Sequence, residues 1–465
     1  HILQSNMVEL IGRESDLAEL NSIYELRKFK CCAIVGRRRI GKSTLIEKFV
    51  EDKKHIYFEF LKGLPEVNLR HMELVIGDYL GKEISFRDFI VAFRVLGEIT
   101  KKDDVVIVFD EFTYALSYDS FSSLTKNLLD RDINGSFLII SGSVIKMMES
   151  EIEDYSKPLY GRTQRMDISG LSLRDSIAFH PNMPRIDILR LHVLTGGSPF
   201  YLADTPADTL QEYMDRYVLP ERAMFHYEGE QIITREIDNP SRCIDILDAM
   251  AAGRNDIKLI CDYTGVDNTS CRKYMDKLME LGVVEQIHPM CGCPEKPARY
   301  RFKDAMVAIH FRIIRNMSIR SKVGFDAYSL QIYTELGRMF ESYCSDVIID
   351  SYAVTDIGSW IDRIPSDDGT SKELTDIDLV AEAIDGRNKV ELFAECKLKN
   401  APVGFETLND LDRKLNFVHG KKNYRRVLIS ASGFQQELYE YAEGAIDLML
   451  IDSDCLFGDK QMPPL

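Results

Sequence analysis

Between residue 7 and about residue 170, short β-branched and aromatic runs alternate with stretches whose apolar positions recur at helical spacing. That alternation predicts a parallel α/β sheet. Cys31–Val35, Val105–Phe109 and Ser136–Ile140 are the strand-sized runs, and Leu45, Ile46, Phe49 and Val50 mark a helix after the first. Residues 171–238 read as helices and polar loops without a strand. Residues 239–310 predict three helices and then two short strands, Leu281–Val284 and Tyr300–Phe302. The third of those helices is expected to be capped by Asn268-Thr269-Ser270 and to bury Cys271, Tyr274 and Leu278. From residue 325 to 465 the pattern predicts a long helix, an alternating hairpin, another helix and two more strands. With no internal repeat and no Gly/Ser linker, these parts are expected to pack on one another. No apolar run reaches the ~18 residues needed to cross a bilayer.

Composition narrows the class. With 465 residues, 45% of them hydrophobic and 28% charged, the chain has apolar surface enough to fold, and disorder is excluded. A net charge of -16 excludes a protein that coats nucleic acid by bulk charge, although a local basic patch remains open. Cys31, Cys32, Cys243 and Cys344 lie in apolar or helical contexts, so a reducing cytoplasm is expected. His288, Cys291 and Cys293 offer three soft ligands without a fourth, so a cysteine-containing loop is the expectation over a structural metal. Residues 1–6, ahead of Met7, read as an expression remnant.

The first strand runs straight into Gly36-Arg37-Arg38-Arg39-Ile40-Gly41-Lys42-Ser43-Thr44 and then into a helical pattern. This is the G-x-x-x-x-G-K-[ST] spacing in its strand–loop–helix context. Its backbone N–H groups and the helix N-terminus suit a nucleotide's phosphates. Lys42 is expected to reach the β- and γ-phosphates, and Ser43 to offer its hydroxyl to Mg2+. Val105–Phe109 ends in Asp110-Glu111; Asp110 is expected to hold the metal and Glu111 to act as general base on water. Two readings stand for Ser141-Gly142-Ser143: a γ-phosphate sensor or a strand-ending turn. Arg162, in Leu159-Tyr160-Gly161-Arg162, is either a finger completing a neighbouring subunit's site or an exposed arginine.

Ile11-Gly12-Arg13-Glu14, with Leu17 and Leu20, resembles the adenine-side box of archaeal-type ATPases, within the AAA+-related, STAND-like branch of P-loop proteins. The loop at 36–44, Asp110-Glu111, Gly142-Ser143, Leu159–Arg162 and Gly196-Gly197-Ser198-Pro199-Phe200-Tyr201 follow in that family's order. The resemblance implies ATP and Mg2+ as cofactors, slow regulated hydrolysis, Gly12 and Arg13 at the nucleotide, a homo-oligomer as an open possibility, and residues 171–238 as a helical lid on the ATPase domain at 7–170.

Helix, turn, helix and a two-stranded wing at 239–310 form a shape that reads DNA in many proteins and packs as a plain module in others. Ten basic and ten acidic residues between 240 and 305 leave no net attraction for DNA. Basic groups nonetheless gather on the third helix (Arg272, Lys273, Lys277) and at the wing (Lys296, Arg299, Arg301, Lys303).

In the C-terminal hairpin, period two puts Asp376 and Asp378 on one face, and Glu395 and Lys397 on one face of the returning strand. Buried charges cost folding energy unless paired, which favours a functional cluster over a surface salt bridge. The arrangement resembles the PD-(D/E)XK nuclease superfamily, with Glu341 as the preceding helical acid. That resemblance implies Mg2+ held by Glu341, Asp378 and Glu395, with Lys397 beside it. Lys399, Lys414, Lys421, Lys422, Arg425 and Arg426 either follow a DNA backbone or form a solvated face. The expected fold is therefore multidomain α/β: a P-loop parallel-sheet ATPase domain, a helical lid, a winged helix-turn-helix, and a restriction-endonuclease-like α/β domain at 325–465. The expected function couples ATP state to DNA binding or cleavage; the alternative is an ATP-dependent signalling switch with an inactive C-terminal domain.

Overall fold

The computed structural model describes residues 10–291, 298–317, 324–366 and 371–465. Residues 1–6, Cys293 and Lys296 lie outside the described residues. The chain forms two compact units, residues 1–175 with 198–201, and residues 176–197 with 202–465.

The first unit is built on β1 (Cys31–Val35), β2 (His55–Glu59), β3 (Val106–Asp110), β4 (Phe137–Gly142) and β5 (Gln164–Asp167). They lie in the order β2-β3-β4-β1-β5, and every pairing is parallel. Strands β1, β3 and β4 are buried along their whole length, as expected where helices cover both faces of a sheet. Alternate residues feed two cores: Cys31, Ala33, Val35, Ile107 and Phe109 on one face, Cys32, Ile34, Val106 and Val108 on the other. Because the strands are parallel, Gly36, Asp110 and Gly142 all reach the same carboxyl edge, where such sheets place ligands.

In the second unit, the helix Arg185–Thr195 is buried from Ile188 through Thr195, which makes it an internal element. Helices Ser241–Ala251, Ile257–Thr264 and Asn268–Glu280 precede an antiparallel ladder of β6 (Val284–Ile287) and β7 (Arg299–Phe302). Several local expectations need correction. The third helix is capped by Asp267, whose carboxylate accepts from the Ser270 N–H, and it buries Cys271, Met275 and Leu278 while Tyr274 is only half-buried. Strand β6 starts at Val284, because Gly282 takes a positive φ of 72° and turns the chain before any pairing.

The C-terminal part of this unit is a sheet of β8 (Val354–Pro365), β9 (Lys372–Asp385), β10 (Asn388–Lys397), β11 (Tyr424–Ser430) and β12 (Leu448–Ile451), in the order β12-β11-β10-β9-β8. β8–β9 and β9–β10 are antiparallel; β10–β11 and β11–β12 are parallel. β8 and the helix Gln436–Gly444 are additions to the expected pattern. β8 escapes the hydrophobic pattern because it is an edge strand with exposed residues through much of its length. Trp360, Phe393, Leu428 and the helix Phe405–Leu415 form the core on one face, and the helix Phe325–Ser351 packs against β8, β9 and β10. No helix among the described residues is long and apolar enough to cross a membrane.

Candidate functional site

At the carboxyl edge of the first sheet, the loop after β1 closes tightly. A Cβ on Gly36 would sit 2.5 Å from the Ile168 carbonyl oxygen, and Gly41 takes φ 91° to open the helix Lys42–Val50. Both positions therefore require glycine. Lys42 is buried and donates to the carbonyls of Gly36 (2.8 Å) and Arg37 (3.0 Å). Burial lowers its pKa, against the opposing pull of Glu111 and Asp110. Lysine and backbone carbonyls form a cation site without a committed counter-ion, which an arriving anion can take over.

Asp110 is the hub. Ser43 donates to its Oδ2 at 2.7 Å and Tyr57 to the same oxygen at 2.6 Å, while Ser141 donates to Oδ1. These three partners are neutral hydroxyls, and the Glu111 N–H also donates to Oδ1 at 3.0 Å. Ser43 and Asp110 together form the pair of hard oxygen donors that Mg2+ favours. Glu111 follows at φ 51°, a left-handed conformation costing about 1–3 kcal/mol for a non-glycine residue, and Ser143 holds its Oε2 at 2.9 Å. Ser141 and Ser143 thus touch the two acids. Tyr57 escapes sequence reasoning because it is an aromatic within a strand; its register beside Val108 is what delivers its hydroxyl to Asp110.

The remaining loop residues have mixed placements. Arg13 is buried and ties the unit together, donating to Asp16 (2.8 Å), the Ile40 carbonyl (2.7 Å) and the Ser169 carbonyl (2.6 Å). Gly12, at φ 68°, has no room for a Cβ beside Asp175. Arg38 bonds the Tyr114 hydroxyl. Arg39 takes φ 66° and lies over the Phe200 ring at 4.3 Å, and Ser198 donates to its carbonyl at 2.6 Å. Arg162 forms a two-pronged pair with Asp130 (2.8 and 3.1 Å) on the surface.

A second cluster lies in the second unit. The β9–β10 ladder ends at Leu379–Ala394, one pair short of Asp378 and Glu395. The Cys396 N–H donates to Asp378 Oδ2 at 2.8 Å, and Lys397 bridges Asp378 (3.1 Å) and Glu395 (2.6 Å). Lys414, on the helix Phe405–Leu415, takes the other Glu395 oxygen at 2.7 Å and Asp410 at 2.8 Å. Lys414 is therefore not part of a solvated basic face: it is buried, at 8% side-chain exposure, on a carboxylate exposed by 2%. Nothing in the local sequence marks this, since helix and strand meet only in the fold. Burial opposes the charge on both lysines, yet Asp378 and Glu395 raise Lys397, and Glu395 and Asp410 raise Lys414. Burial, then the Asp378 charge, pushes Glu341 up to about 8, and Glu341 lies 3.6 Å from Arg301. Among the described residues no three His, Cys, Asp or Glu side chains converge to hold a metal. Glu341, Asp378 and Glu395 thus share a neighbourhood in which Glu395 is spent on two ammonium groups. His288 instead pairs with Asp356 at 2.8 Å, and the Cys291 thiol lies 3.8 Å from Glu391.

Residues 10–205 match a family model described as an ATPase domain predominantly from Archaea. The chain is 28% identical over 410 residues to a Methanocaldococcus jannaschii protein described as uncharacterized, an alignment covering 84% of this chain and 88% of that one. It is similar to a solved Walker-type ATPase of Pyrococcus abyssi, with 20% identity, 65% of this chain and 96% of that chain covered, and a TM-score of 0.48. The Aeropyrum pernix ORC1 protein in complex with DNA is similar at 14% identity, with 66% and 93% covered and a TM-score of 0.34. With its phosphate loop and hydroxyl-held acid on one sheet edge, the chain carries a P-loop ATPase domain of the archaeal type over residues 10–205.

Proposed function

We propose that this protein is a Mg2+-dependent ATPase whose nucleotide state governs a nucleic-acid-directed site in its C-terminal sheet. The supporting observation is Asp110, held by Ser43, Ser141 and Tyr57 at the mouth of the loop that carries Lys42. On this reading Lys42 leaves the Gly36 and Arg37 carbonyls for the β- and γ-phosphate oxygens. Glu111, fixed by Ser143, orients the attacking water and accepts its proton. Mg2+, held through Ser43 and Asp110, supplies charge neutralisation on the phosphates. Gly12 lies on the adenine side, and Arg162 acts toward a neighbouring copy in a homo-oligomer. Lys42→Ala abolishes ATP turnover; retained turnover in that variant sinks the assignment.

In the second unit, helices 241–280 with β6 and β7 act as a winged helix, and Asp378, Glu395 and Lys397 as a nuclease-like site on DNA. Divalent-ion binding there requires Glu395 to release Lys397 or Lys414. Glu395→Ala with Lys397→Ala removes any metal-dependent cleavage and leaves ATP turnover unchanged. A second reading has its own observation: with both Glu395 oxygens committed to lysines, the C-terminal part serves as a non-cutting effector of an ATP switch. Plasmid incubated with Mg2+ or Mn2+, with and without ATP, separates the two by the presence or absence of nicked product.

A further inference from the structure

Between the helix–ladder segment and the C-terminal sheet of the second unit lies a cavity of about 620 Å³. Arg299, Arg301, Arg312 and Arg338 line it together with Glu335 and Glu341, and Asp376 and Asp378 form the wall next to Lys397. The ladder is held there by the segment after β6, which runs beside the edge of β8. The Met290 N–H donates to the Ser359 carbonyl at 2.9 Å, and a Cβ on Gly358 would meet the His288 carbonyl oxygen at 2.3 Å. The arginines of β7 are therefore built into the C-terminal cluster and do not project from a free wing.

The guanidinium groups have fixed stems and unspent donors. Arg312 and Arg338 are both pinned on Glu335, at 2.7 and 3.0 Å. Arg301 is pinned on Glu285 at 2.5 Å. The Arg299 side chain makes no hydrogen bond among the described residues; the Asp376 charge is its near neighbour. Glu335 is 2% exposed and anchors the Arg312 and Arg338 guanidinium groups at the cavity wall. Arginine forks suit phosphodiester oxygens.

Volume decides the form of the ligand. A volume of about 620 Å³, that of a sphere about 11 Å across, is within the range of small-molecule sites. A duplex does not enter a space narrower than its own major groove, about 12 Å wide. We infer that this cavity binds a single nucleic-acid strand, about one or two nucleotides deep, with its phosphates on Arg299 and Arg338. The inference rests on the nucleic-acid part of the proposed function but does not need cleavage, since strand binding is measured with EDTA present.

The test is fluorescence anisotropy of the full chain with labelled eight-residue oligo-dT, oligo-rU and a blunt duplex, across a salt series. Single strands bind at least tenfold tighter than the duplex, and the DNA and RNA arms report which sugar is preferred. Arg299→Ala with Arg338→Ala weakens strand binding about tenfold or more and flattens the salt slope by about 1.4, the contribution of two phosphates on a single strand. Ala252→Trp, at the exposed rim, reaches the same loss without touching a charge, and unchanged Trp360-region folding by circular dichroism excludes collapse of the unit. Duplex binding equal to or tighter than strand binding overturns the inference, as does strand affinity unaffected by both variants. Nuclease failure with intact strand binding removes only the cutting reading.

Discussion

The two candidate sites place the same residue types on strand ends and solve their electrostatics in opposite ways. Asp110 is held by three neutral hydroxyls, while Lys42 rests on backbone carbonyls. Glu395 is closed by two ammonium groups, and Lys397 also ties down Asp378. The first site keeps its anion and its cation unpaired with each other, and on the proposed reading a phosphate and a metal bring the complementary charges. The second holds its charges as internal pairs, and ligand binding must first open them. Buried pairs of this kind are weak evidence for stability but expensive to break from one side.

That contrast predicts how each site fails. Lys42→Ala is expected to reduce ATP turnover at least 100-fold in a steady-state phosphate-release assay, because Lys42 is the ammonium group buried inside the loop. Glu111→Gln also lowers turnover about 100-fold but leaves nucleotide affinity intact by calorimetry; a loss of affinity would show that Glu111 holds ligand and does not act as a base. Glu395→Ala, which leaves Lys397 and Lys414 facing each other without their shared carboxylate, is expected to cost the second unit about 3–5 kcal/mol in urea. Trp360, the only tryptophan and buried in that core, reports the transition by fluorescence. The same measurement on Asp110→Asn, read by far-ultraviolet circular dichroism, should shift stability by about 1 kcal/mol or less, since a neutral amide still meets the three hydroxyls. Glu111→Gly relieves the left-handed backbone and is expected to raise stability by about 1 kcal/mol in the same measurement.

The legibility of the two sites differs for the same reason that their chemistry does. The phosphate loop is a contiguous segment, and its strand, glycines and lysine are readable in order. The C-terminal cluster draws on β9, β10, and the helices Phe325–Ser351 and Phe405–Leu415. Period two predicts the meeting of Asp378, Glu395 and Lys397, because a hairpin register links them. It does not predict Lys414, which looks like one more surface lysine until Phe405–Leu415 is docked on the sheet. Tyr274 is similarly misassigned: the helix Asn268–Glu280, capped by Asp267, turns Met275 inward in its place.

From sequence alone came the alternating strands and helices of the first unit, the loop at 36–44, the acids at 110–111 and the carboxylate–lysine hairpin, because each is encoded by residues near one another along the chain. Only tertiary structure decided that Ser141 and Tyr57 share Asp110, that Lys414 neutralises Glu395, and that Arg299 and Arg301 face the C-terminal acids. Those contacts join segments tens of residues apart, and the cost of bringing buried charges together is met only when packing has removed the water that would otherwise solvate them.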